Sequence, residues 1–100
     1  GGCPIFNAAI EMDDLEGSTL LPPINEAMDL MIKWLVKIIE EGIRNQELKQ
    51  SVQPYDTAIY IVSTLEGGLV LDRLKKDGQL TKIISNNLKQ YISMIATERQ

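Results

Sequence analysis

The chain has 100 residues, of which 44% are hydrophobic and 24% charged, with a net charge of −4, one cysteine and no histidine. That composition fits one acidic globular domain, or part of a larger protein, and the lack of histidine removes the commonest general base and metal ligand. The ten basic residues are scattered, with only Lys75 and Lys76 adjacent, which argues against direct contact with nucleic acid. No apolar run reaches the roughly 18 residues of a membrane span, and no secretory signal is present. A single cysteine forms no internal disulfide, so a reducing, cytoplasmic setting is expected. With no nucleophile–base pattern, neither an enzyme nor a bound cofactor is expected.

Apolar residues recur at spacings of three and four without strict alternation, so every predicted element is a helix. The first runs from about Pro4 to Leu15, with Pro4 at the first helical position, where its missing N–H costs nothing. Asp13, Asp14 and Glu16 then fall at the C-terminal end, where the dipole disfavours them, so this helix is short. They lack the ordered spacing of a calcium loop and read as a solvated helix end rather than a metal site. Cys3 sits where the dipole lowers a thiol pKa, yet no resolving cysteine or nearby base accompanies it. A small, half-buried residue at a helix entry is the simpler reading, and a redox role stays open. Asn7 fits either a ligand contact or a cap.

The second helix is predicted from Pro22–Pro23 to Gly42, which reads as its C-cap. Glu26, Asp29, Lys33, Lys37 and Glu40 make one narrow polar stripe, and nearly all other positions are apolar, so this helix needs neighbours on several sides. A polar connection from Ile43 to Gln53 follows. The third helix runs from about Pro54 to Lys76 and has two apolar faces. Ala58, Ile61, Val62, Leu65 and Leu69 form one; Ile59, Ser63, Gly67, Val70, Leu71 and Leu74 form the other. One face serves the chain's own core and the second needs a partner. Gly67 and Gly68 each cost about 1 kcal/mol against Ala in mid-helix, which close approach of another helix at Ser63 and Gly67 would offset. After Asp77–Gly78 a fourth helix is predicted from about Leu80 to Thr97. Leu80, Ile83, Ile84, Leu88, Tyr91, Ile92 and Ile95 cover about half its surface. The expected fold is an all-α antiparallel bundle of about four helices.

The segments "GGCPIFNAA", "NEAMDLMIKWLVKIIEEGIRNQEL", "QPYDTAIYIVSTLEGGLVLDRL" and "ISNNLKQYISMI" resemble, in order, the sixth to ninth helices of tetracycline-repressor-like (TetR) transcription regulators of bacteria. Leu65-Glu66-Gly67-Gly68 stands where that family commonly has a Leu-Glu-Gly-Ala-like run. Gln53–Pro54 departs from the usual Asp-Pro helix start, which weakens the cap. The resemblance implies a single C-terminal regulatory domain over residues 1–100, with the DNA-binding helix-turn-helix lying outside this chain. It implies a homodimer in which the last two helices form an intersubunit four-helix bundle, and a small effector whose binding shifts the two DNA-reading heads.

Two sets of site residues follow. Phe6, Met28, Met31, Trp34, Leu35 and Tyr60 are expected to line a pocket for a small, mostly apolar effector, because Met adapts to irregular apolar ligands and Trp and Tyr add a polar handle. For any one of Met28, Met31, Trp34, Leu35 and Tyr60 taken alone, ordinary core packing is the simpler reading. Ser63, Gly67, Val70, Leu71, Leu74, Ile84, Leu88 and Tyr91 are expected at the dimer interface. Glu66 falls between the two faces of the third helix. It is expected to pair with Arg73 or reach solvent, or, if partly buried, to read a cationic or hydrogen-bonding ligand. The alternative function is a purely structural helical interaction module without a small-molecule ligand.

Overall fold

The computed structural model describes residues 21–98, and Cys3, Phe6, Asn7 and the first predicted helix lie outside them. Three helices follow in order: α1 (Leu21–Arg44), α2 (Pro54–Lys75) and α3 (Gly78–Ile95), with no strand longer than a single bridge among the described residues. Helix α2 packs against α1 on one flank and α3 on the other. The Cα atoms extend over 53 × 31 × 15 Å, with a radius of gyration of 15.8 Å against about 13 Å for a compact domain of this length. With α2 packed between α1 and α3, the helices form an open layer, and a layer has two faces to cover.

Helix α1 does not stop at Gly42. It continues to Arg44, and the left-handed residue that ends it is Gln46, with φ 63°. The Gly42 carbonyl accepts the backbone N–H groups of both Glu47 (2.8 Å) and Leu48 (3.0 Å). The glycine serves packing instead of capping: a Cβ there would lie 2.8 Å from Cδ1 of Leu48. The connection is then clamped to the end of the chain. Leu48 and Ala96 form an antiparallel bridge. In it the N–H of Lys49 donates to Ile95 O and that of Thr97 to Glu47 O, both at 2.9 Å. The Thr97 hydroxyl donates to Gln46 O at 2.7 Å.

At the α2–α3 junction the terminator is Lys76, left-handed at φ 52°, whose N–H returns to Asp72 O at 2.7 Å. Asp77 caps α3, accepting the N–H of Gln79 on Oδ1 at 3.0 Å. Gly78 is thus the first residue of α3, two positions ahead of the expected start.

Within the chain the close helix approach is at Gly68, one residue after Gly67. A Cβ on Gly67 would meet nothing within 4 Å, whereas one on Gly68 would collide with Cδ1 of Ile84 and lie 3.2 and 3.3 Å from its Cγ2 and Cγ1. Only Ile39, Ala58 and Leu88 are buried apolar residues among those described. Twelve large apolar side chains are exposed there, including Leu30, Trp34, Leu65, Leu71, Leu74, Ile83 and Met94.

Candidate functional site

The first candidate site is a groove of about 480 Å³ along the α2–α3 contact. Its apolar wall is Leu65, Leu69, Ile84, Leu88 and Ile92, its floor at the helix crossing is Gly68, and Thr81, Ser85 and Lys89 supply polar groups from α3. The volume lies in the range of small-molecule sites. Glu66 also lines it. This residue is only 8% exposed. Its Oε2 is buried with no hydrogen-bond partner among the described residues, so neither Arg73 nor solvent takes that oxygen.

A second groove, of about 530 Å³, lies where the α1–α2 connection meets the end of α3. Leu35, Ile38, Ile39, Leu48, Ile61 and Ile95 line it, with Glu41, Asn45, Glu47 and Thr97 around them. Ile92 lines both grooves, so the two open on the same side of the layer.

The expected effector residues divide. Leu35 lines the second groove. Trp34 is 64% exposed and four positions before Ile38, so it lies on the side of α1 that this groove uses. Met28 and Met31 are half-buried on α1. Tyr60 instead meets Tyr91, ring centroids 4.6 Å apart at 43°, which joins one residue expected at the ligand to one expected at the interface. Phe6 lies outside the described residues.

The expected interface residues divide as well. Ser63, Gly67, Leu71 and Leu74 are exposed, with Val70 half-buried beside them. At 100° per residue, Ser63, Leu74, Gly67, Tyr60 and Leu71 fall in an arc of about 80° on α2, roughly opposite Leu65 and Leu69 of the groove. Ile84 and Leu88 belong to the chain's own packing, Ile84 against Gly68 and Leu88 buried within the layer, because both stand on the side of α3 turned to α2. The bare residues of α3 are Ile83 and Met94, the latter 70% exposed. Eleven residues separate them, which returns a helix to nearly the same direction.

Among the described residues no three His, Cys, Asp or Glu side chains are grouped to hold a metal ion, and no helix is long and apolar enough to cross a membrane. Asp13, Asp14 and Glu16 lie outside those residues.

No curated protein sequence matches the chain. The family of tetracyclin repressor-like C-terminal domains matches over residues 1–88. Among solved structures, the chain is similar to a transcriptional regulator of the TetR family from Cytophaga hutchinsonii, with a TM-score of 0.90 and 28% sequence identity. The match covers 99% of this chain and 49% of that one, so the chain spans about half the length of that relative. The helical order and the family match over residues 1–88 agree: this chain belongs to the family of tetracyclin repressor-like C-terminal domains.

Proposed function

We propose that the chain is the effector-binding and dimerisation domain of a TetR-like transcription regulator, with DNA contact made by an N-terminal domain outside it. One face of the layer pairs with a second copy. The bare arc of α2, Ser63, Gly67, Leu71 and Leu74 with Tyr60 and Val70 beside it, lies against its equivalent together with Ile83 and Met94 of α3. The opposite face holds the effector, a small and mostly apolar molecule, in the α2–α3 groove lined by Leu65, Leu69, Ile84 and Leu88. Movement of α2 under the effector then reaches the second copy directly, because the same helix forms both surfaces.

The observation that carries this reading is the exposure of Leu71 and Leu74 on the side of α2 away from its grooves, the latter 73% exposed in the single chain. An apolar surface of that kind marks an interaction site. Light scattering at micromolar concentration tests it. The wild-type chain is expected to run at twice the mass of a Leu71→Glu/Leu74→Glu variant whose helix content is unchanged. A strictly monomeric wild type overturns the pairing. A thermal-shift screen with apolar compounds separates an effector domain from a structural module, since a ligand at 100 times its Kd raises stability by about 2.7 kcal/mol.

A further inference from the structure

We propose that the groove where the α1–α2 connection meets the end of α3 is a second binding site, one that takes small apolar organic cations. It is separate from the effector groove and does not rest on the effector reading. All three helices and the connection build it. Leu35, Ile38 and Ile39 come from α1, Leu48 from the connection, Ile61 from α2 and Ile95 from α3. The bridge between Leu48 and Ala96 holds the connection against the end of α3. The volume of about 530 Å³ lies in the range of small-molecule sites.

The charge of the ligand follows from the rest of the lining. Glu41 and Glu47 are its charged residues, and both are solvent-exposed, so a ligand meets them without uncovering a buried group. Arg44 and Lys49 stand close by in sequence, yet neither lines the groove. Trp34, Ile38, Glu41 and Asn45 follow one another at spacings of four, three and four, which sets them along one side of α1. Trp34, exposed on that side, extends the wall with an indole ring, whose face attracts cations. Among the described residues no three metal-ligating side chains are grouped, so the pair of glutamates suits an organic cation rather than a metal ion. Such a ligand lays its hydrocarbon against the leucines and isoleucines and keeps its ammonium beside the glutamates. Each exposed ion pair strengthens binding by up to about fivefold. An alcohol on the same hydrocarbon lacks that gain, and a carboxylate is repelled.

Calorimetric titration of the whole chain at low salt with 4-phenylbutylamine, 4-phenylbutan-1-ol and 4-phenylbutyrate tests this. The amine is expected to bind about fivefold more tightly than the alcohol, and the carboxylate more weakly than either. Glu41→Gln/Glu47→Gln keeps the shape of the wall and removes its charge. It is expected to bring the amine to within about twofold of the alcohol and to leave the alcohol unchanged. Glu26→Gln/Glu40→Gln lowers the net charge equally at exposed positions outside this groove, and is expected to leave the amine within about twofold of the wild type. If the first variant fails to fold, the wild-type ranking and its collapse in about 0.5 M salt decide, since salt screens exposed charges. Three results overturn the proposal: an amine no tighter than the alcohol, an amine preference that survives Glu41→Gln/Glu47→Gln or is lost equally in the control variant, and an amine that does not bind. None of these touches the pairing of α2 or the effector groove, which the glutamates do not line.

Discussion

Gln53 enters α2 with extended backbone, φ −94° and ψ 109°, and its side chain makes no capping hydrogen bond. Pro54 follows at the first helical position, and the N–H of Thr57 is satisfied by the Gln53 carbonyl at 2.9 Å, so the turn forms by backbone alone. A short acceptor at this position reaches the free N–H groups that a glutamine, one methylene longer, leaves to water. Gln53→Asp is expected to stabilise the chain by about 1 kcal/mol, read as a higher midpoint in urea at unchanged slope. This weakness was legible from the Gln53–Pro54 pair itself, because N-capping is decided by the residue and its immediate neighbours. The left-handed residues were not. Gly42 and Gly78 carry the sequence signal for helix ends, yet Gln46 and Lys76 take the positive φ values. The reason is long-range: Gly42 is needed small against Leu48, and Asp77 claims the start of α3 one residue before Gly78.

Helix α2 shows what one element serving two surfaces demands of its sequence. Its apolar residues lie all round, which is how two faces were foreseen, but the pattern does not say which face meets which neighbour. Gly67 and Gly68 make the point. Adjacent in sequence and equal in propensity, they differ in surroundings: one faces open space and the other Ile84. Gly68→Ala gains about 1 kcal/mol of helix propensity but overfills the α2–α3 contact, which costs about 1–3 kcal/mol. A net loss is expected. The atom that a Cβ would strike is Cδ1 of Ile84, the end of a side chain, and Ile84→Val removes it. The two substitutions should therefore couple. Gly68→Ala is expected to cost at least about 0.5 kcal/mol less in the Ile84→Val background than in the wild type, measured as a double-mutant cycle. Additive costs would mean that Ile84 is not what fixes the helix spacing.

At the scale of the whole molecule, three packed helices with three buried apolar residues among those described have little core of their own. Hydrophobic burial is roughly proportional to apolar area removed from water, so the large side chains left bare represent stabilisation realised only when something lies against them. The bridge between Leu48 and Ala96 ties the α1–α2 connection to the end of α3 and keeps the layer from splaying at that end, but it adds no second layer. If a second copy supplies that layer, folding and association are one equilibrium, and stability depends on concentration. For a dimer that unfolds to two chains, each tenfold rise in concentration adds about 1.4 kcal/mol per dimer. With about 0.2 kcal/mol per degree of unfolding entropy for each 100-residue chain, that raises Tm by about 3 °C. Calorimetric scans at ten and a hundred micromolar, roughly the working range of the method, should show this rise for the wild type. They should show none for Leu71→Glu/Leu74→Glu, whose Tm is expected to lie below that of the wild type at both concentrations. A wild-type Tm indifferent to concentration would mean that the layer is stable without a second copy, and would leave the bare arc of α2 without its proposed partner.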